Sequence, residues 1–258
     1  MNIDIEKTTI GQLALQVPNA IAVLEKWQID YCCRGHRSVV EACQTAGVPV
    51  DKLLSAINDA RGSADMAELQ RKSLGELQEY IVNTHHAFTR QALETLRLLS
   101  EKVAARHGER HPETLEVRTI VSQMSEDLLP HMLKEEQVLF PYVEQLETAT
   151  ANGEEPPMPF FGTVKNPIRM MMAEHDAVGD LLVQARAFTS DYKLPDDACL
   201  SFRALYERLA ELEEDLHRHI HLENNLLFPR AARLEEGAGT KPAFGAHGGQ
   251  HTCSCGGH

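Results

Sequence analysis

The chain writes one short segment twice. His131 to Pro141 reads HMLKEEQVLFP and His219 to Pro229 reads HIHLENNLLFP; each sets a His four residues before a Glu and closes in Leu-Phe-Pro. Residues four apart lie one above the other on a helix face. His131 with Glu135, and His219 with Glu223, can therefore grip one object together. Both pairs continue an apolar stripe. The first runs Val117, Val121, Met124, Leu128, His131, Glu135, Val138, Tyr142, and the second Phe202, Leu205, Leu209, Leu212, Leu216, His219, Glu223, Leu226. Steps of three and four mark the core-facing side of a helix. A carboxylate there is expensive to bury unless it is paired or binds a metal. Two such His-plus-Glu pairs point to a metal centre.

The duplication extends upstream, where His86 lies 45 residues before His131 and His175 lies 44 before His219. The pattern predicts two helical hairpins, each giving a lone His from its first helix and a His-x-x-x-Glu pair from its second. Packed together they form an all-α, up-down four-helix bundle with a metal pair between them. On the first helix the periodicity leaves two candidates open. Leu74, Leu77, Ile81, His85, Phe88 and Ala92 form one stripe, and Val82, His86, Leu93 and Leu96 another. Four imidazoles and two carboxylates exceed what one structural zinc takes, and they are not the all-oxygen set of calcium or magnesium. They suit iron, with manganese and zinc satisfying the same donor types.

Charge and composition narrow the rest. A net charge of −13 opposes nucleic-acid binding, which needs clustered Lys and Arg, and an anionic membrane surface. No run of 18 apolar residues is present, and MNIDIEKTTI carries no signal-peptide h-region, so the expected location is cytoplasmic. The six cysteines, at 32, 33, 43, 199, 253 and 255, read as thiols in a reducing compartment.

Along the chain, residues 1–64 read as a small helical domain with a Thr8 or Thr9 cap, a helix opened by Pro18 and ending near Asp30, and a Ser38–Glu41 capping box. Gly62 to Asp65 is the expected linker, and 68–236 the bundle. The segment 152–162 should pack its apolar end across the bundle, Met170 and Met172 should fill core, and Pro195 should open the fourth helix. Pro141 and Pro229 are expected to bend or end their helices, with Phe140 and Phe228 as packing. Residues 237–258 read as a flexible tail whose His and Cys make a weak soft-metal site. Cys32 and Cys33 precede the Ser38-capped helix, a setting that lowers a thiol pKa, and Arg34 adds favourable positive charge. Cys43 is read as core and Cys199 as structural.

At this point a resemblance becomes specific. Tyr31-Cys32-Cys33 followed by a Gly, His86-x-x-x-Arg90, the HMLKEEQVLFP segment, Glu174-His175-Asp176 and His219-x-x-x-Glu223-Asn-Asn-x-Leu-Phe-Pro229 together resemble the iron–sulfur cluster repair (repair of iron centres) proteins, with their hemerythrin-like bundle. The likeness spans about residues 8–235. It implies a non-haem di-iron centre with an oxo or hydroxo bridge, held by His86, His131, Glu135, His175, His219 and Glu223. It selects His86 over His85, and it implies a di-cysteine domain. The implied role is repair of clusters damaged by nitric oxide or oxidants, with damaged iron–sulfur proteins as partners and iron donation or redox chemistry on nitric oxide or iron both open. Glu174, and Asp127 in place of the usual Glu, would be buried acidic residues serving a passage near the centre. A homodimer is compatible with the resemblance. Two other readings stay open: a protein that binds or senses oxygen or nitric oxide without repair, and a ferroxidase-like enzyme.

Overall fold

The computed structural model describes residues 5, 7–17, 20–59 and 65–239; the tail site and Pro18 lie outside them, as do Gly62 to Ala64. Among the described residues the structure is helical, with no strand beyond a single bridge between Thr9 and Ser38. The small domain holds α1 (Ile10–Gln16), α2 (Ala20–Lys26), α3 (Val39–Ala46) and α4 (Val50–Asp59). Thr9 and Ser38 each accept from the amide three residues on, and Gln12 and Glu41 return the bond, so both helices start on a complete capping box. α2 stops at Lys26, before the expected Asp30, because Gln28 takes a left-handed φ of 54°.

After α5 (Asp65–Arg71), four rods make the bundle. The first is α6 (Leu74–Ile81), a π-helical turn (Val82–His86) and α7 (Ala87–His107). The second is α8 (Glu113–Lys134), a π turn (Glu135–Leu139) and α9 (Phe140–Asn152). The third is α10 (Lys165–Thr189), unbroken, and the fourth is α11 (Leu200–His221), a π turn (Leu222–Leu227) and α12 (Phe228–Gly239). α7 packs on α8 and α11, and α10 on α8 and α11, closing a square of antiparallel neighbours. The fourth helix begins at Leu200 rather than at Pro195; residues 196–197 are a turn in front of it, and Cys199 caps it in extended backbone.

The prolines neither end nor break their rods. A proline lacks the N–H that an α-helix would bond to the carbonyl four residues back, so a wider turn just before it sacrifices little. In the second rod Phe140 N–H reaches back five residues to Glu135, and in the fourth Phe228 N–H reaches Glu223 in the same way. Each widened turn inserts one residue into the stripe. Val138 is only half-buried, while Leu139 and Phe140 are buried.

Two apolar clusters fill the bundle, and the predicted ligands form a polar layer between them. One cluster joins the small domain to the upper bundle, through Ile10, Leu13 and Leu24 with Leu182, Leu216 and Ile220; the other gathers Leu77, Ile81, Leu139, Met171 and Leu227 at the far end. The loop before α10 contributes less than expected. Met158 and Phe160 are exposed, and Phe161 alone packs, edge-on to Tyr142 at 5.1 Å. Met170 and Met172 are surface residues; Met171 between them is the one in the core.

Candidate metal centre

Each rod delivers its donor from the widened segment or from a regular face. The π turns carry His86, Glu135 and Glu223, and π turns of this kind recur at functional sites. α8 supplies His131, α10 supplies His175 and α11 supplies His219. All six are buried. They form two overlapping groups whose donor atoms lie within 4.8 Å of one another: His86, Glu135, His219 and Glu223, and His131, Glu135, His175 and Glu223. The two glutamates belong to both.

The imidazoles meet in pairs through Nε2, His86 with His219 at 3.1 Å and His131 with His175 at 3.1 Å. Glu135 Oε2 sits 3.4 Å from Nε2 of both His86 and His131. Glu223 places Oε1 2.9 Å from His219 Nε2 and Oε2 3.1 Å from His175 Nε2. Yet both oxygens of Glu135 and Oε2 of Glu223 are buried with no hydrogen bond. The contacts have the distance of ion pairs without the alignment of hydrogen bonds. Such donors cost several kcal/mol to bury unless a positive charge meets them, of order 3–5 for a charge left uncompensated.

The protonation pattern shows the same demand. Burial pushes the His86 imidazole down, but Glu135 and Glu223 outweigh it and hold it at about 10. His175 is likewise raised to about 9 by Glu223 against its burial. Glu223 is held well below the usual carboxylate range: burial raises it, and His219, His175 and His86 overcome that. The donor set fits a pair of cations, with the two carboxylates shared between them.

Behind the donors, each outer nitrogen but one is tethered. His86 Nδ1 is 2.7 Å from Glu136 Oε1, which also accepts from Arg90 at 2.7 Å. His131 Nδ1 is 2.8 Å from Glu174 Oε2, and Lys134 bonds the other oxygen of that carboxylate. His131 and Lys134 hold Glu174 at about 2, against a smaller upward push from partial burial. His175 Nδ1 is 2.9 Å from Asn224 Oδ1, and Asn224 donates on to the Cys32 carbonyl at 3.3 Å. Phe140 stacks on His86 at 5.9 Å and Phe228 on His175 at 6.1 Å, so the Leu-Phe-Pro aromatics brace the lone imidazoles.

The 77–231 stretch matches the family described as Hemerythrin HHE cation binding domain, and 6–61 matches a domain of unknown function, DUF542. Over 235 residues the chain is 36% identical to the iron–sulfur cluster repair protein YtfE of Yersinia pseudotuberculosis serotype IB (strain PB1/+), and equally to that of Yersinia pestis (strain Pestoides F). Each comparison takes in 90% of this chain and 100% of the relative. The chain belongs to the iron–sulfur cluster repair protein family. Its bundle is a cation-binding hemerythrin domain.

Within that frame the remaining sequence candidates divide. His85 is buried but outside the donor groups; its Nδ1 faces Asp215 at 2.9 Å. Glu174 reaches the centre through His131 and is about one-third exposed, rather than buried. Asp127 is not brought in. It is half-buried on α8, and its carboxylate accepts from Gln123 at 3.0 and 3.1 Å.

Cys32 and Cys33 are buried where the small domain meets the bundle, with their sulfurs 3.7 Å apart. The Cys33 thiol donates to the backbone carbonyl of His175 at 3.5 Å. For Cys32 the expected low thiol pKa is corrected. Burial pushes Cys32 well above the usual thiol range, and Cys33 and Asp30 add to it. The Asp30 carboxylate, 3.5 Å from Cys32 Sγ, accepts the amides of Cys32, Cys33 and Arg34. Arg34 directs its guanidinium to Asp180 at 3.2 Å instead of to a sulfur. Asp30, Cys32 and Cys33 also lie close enough to hold a cation together. Cys43 is core as expected, whereas Cys199 is exposed, with its sulfur 3.2 Å from His107 Nε2.

Sequence reasoning passed over Glu136, Asn224 and Lys134. Each lies beside a ligand in the sequence, the first two immediately after a shared glutamate, and that adjacency was the available signal.

Proposed function

We propose that this chain holds two iron ions between His86, His131, Glu135, His175, His219 and Glu223, and that it restores iron–sulfur clusters damaged by nitric oxide or oxidants. The observation that carries the reading is likeness along the entire length of iron–sulfur cluster repair proteins, small domain included. The buried layer of six donors supports it. Imidazole with shared carboxylate is a donor set iron accepts. Bound there, iron would supply an exchangeable metal and one-electron redox chemistry.

The residues around the donors have separate tasks. Glu136, Glu174 and Asn224 fix the imidazole orientation, as partners behind metal-bound His do generally. The apolar clusters above and below keep water from the layer. Glu174 and Lys134 join His131 to the surface and mark the side for passage of iron or a small ligand; Asp127, one turn before His131, lies on the same rod. A cleft of about 630 Å³ between the small domain and the bundle is lined by Cys33, Asp30 and Asp176. There the Cys33 thiol, with Cys32 Sγ buried 3.7 Å behind it, would receive iron or the damaged cluster's ligands. We assign residues 1–64 to the di-cysteine domain, 68–236 to the di-iron bundle and 237–258 to a tail, and place the protein in the cytoplasm. No helix among the described residues is long and apolar enough to cross a membrane.

The test is transfer of function. Iron-loaded protein is mixed with an enzyme whose cluster has been damaged by nitric oxide, and its activity is followed. Recovery is expected, with Cys32→Ser and Cys33→Ser keeping their iron while losing recovery. Reversible oxygen binding with no recovery by the native protein would sink the repair reading.

A further inference from the structure

The two halves of the centre follow one plan, and the plan breaks at a single position. Each lone imidazole is tethered by the residue just after a shared carboxylate. Glu136 does this for His86 at 2.7 Å, and Asn224 for His175 at 2.9 Å. Each second imidazole, by the same symmetry, should be tethered by the residue just before the other hairpin's lone His. His131 obeys, with Nδ1 2.8 Å from Glu174. For His219 the equivalent residue is His85, and no bond forms. His85 turns its Nδ1 to Asp215 at 2.9 Å and lays its ring parallel to that of His219, with centroids 5.5 Å apart and planes 6° apart. His219 Nδ1 is thereby buried with no hydrogen-bond partner among the described residues.

A tether on the far nitrogen holds a metal-bound imidazole in orientation and, when it is a carboxylate, makes the ring a stronger donor. The His131–His175 half has both rings tethered; the His86–His219 half has one. We infer that the two cation positions are unequal: the position served by His131 and His175 fills first and holds its ion more tightly, and the position served by His86 and His219 is the exchangeable one. The inference rests on the proposed two-ion reading of the same donors. The charge on Glu136 does not reverse the order, because each half has one carboxylate tether drawn on by a cation, Arg90 on Glu136 and Lys134 on Glu174, which leaves the Asn224 tether on His175 against none on His219 as the difference.

The experiment is an anaerobic titration of the full chain with Fe²⁺ against a competing chelator, read by absorbance. Two steps of one ion each are expected, separated by about 10- to 100-fold in affinity, the usual effect of losing such a tether. Glu174→Gln should weaken the tighter step by about 10-fold or more and leave the weaker one in place. His85→Glu, which restores the carboxylate the plan calls for, should tighten the weaker step. If His85→Glu fails to fold, Glu174→Gln at its part-exposed site decides alone. Two ions binding in a single step, or Glu174→Gln shifting the weaker step instead, would overturn the inference and leave the repair reading standing. Fewer than two ions would overturn both. Two steps as described, with no recovery of a damaged cluster, would uphold the inference and count against repair alone.

Discussion

Replacing Gly11 by alanine should loosen the small domain from the bundle. An added Cβ at Gly11 would meet Asn225 Oδ1 at 2.2 Å and its Cγ at 2.8 Å, so the Asn225 side chain has to move. That side chain bonds the Tyr31 carbonyl at 3.4 Å and His221 Nδ1 at 3.0 Å. Losing two bonds removes about 1 kcal/mol each, and forcing an extra methyl into packed surroundings costs about 1–3 kcal/mol. Strain relieved by moving Asn225 is partly the same energy, so the net cost is about 2–4 kcal/mol. The assay is amide hydrogen exchange at Cys32, Cys33 and Arg34, whose N–H groups are held by Asp30 in this docked loop. Where exchange follows the opening equilibrium it should speed up by about 30- to 1,000-fold, at 1.4 kcal/mol per factor of ten. Amides of α7 and α8, far from Gly11, should change much less. Unaltered exchange at all three loop amides would refute the packing argument.

Gly75→Ala should act in the opposite direction. Its Cβ would find nothing closer than Glu147 Oε2 at 3.7 Å, and Gly75 sits inside α6, so a rise of about 0.5–1 kcal/mol in unfolding free energy is expected by denaturant titration. At the start of the same helix, the Ser73 amide and hydroxyl hold the Glu76 carboxyl below its usual pKa. A depressed carboxyl stabilises above its unfolded pKa and loses that contribution as pH falls through the folded value. Glu76→Gln should therefore lower stability at neutral pH and narrow the gap from the native protein under acid, as thermal melts across that range would register. The raised thiol of buried Cys32 predicts slow alkylation at neutral pH, with exposed Cys199 labelled well before it; peptide mapping that found Cys32 labelled first would contradict the burial.

How much of this was legible in the sequence depended on whether the helix period held. On α10, which has no widened turn, Ile168, Met171, His175, Val178 and Leu182 recur in the sequence at steps of three and four, and all are buried. On the first rod the period left His85 and His86 unresolved, and the π turn over Val82–His86 is the reason. It advances less rotation per residue, so both histidines face inward. The same slip leaves Val138 half-buried while its neighbours Leu139 and Phe140 enter the core. Caps were legible because they are local: Thr9 and Ser38 behave as their neighbours dictate. The thiols were not. A helix start downstream suggested a low pKa, but for Cys32 burial against the bundle, the neighbouring Cys33 and the Asp30 carboxylate are tertiary effects, and they dominate. The surroundings of Asp127 were likewise not legible: it lies four residues before His131 on the same rod, and its carboxylate accepts from Gln123 on its own helix.

The most direct measurement is iron per chain. Protein loaded anaerobically with Fe²⁺ and desalted should carry two iron ions when native, and Glu135→Gln combined with Glu223→Gln should carry essentially none, since those two side chains belong to both donor groups. Native-like iron content in the doubly substituted protein would place the metal somewhere else and contradict the account at its centre.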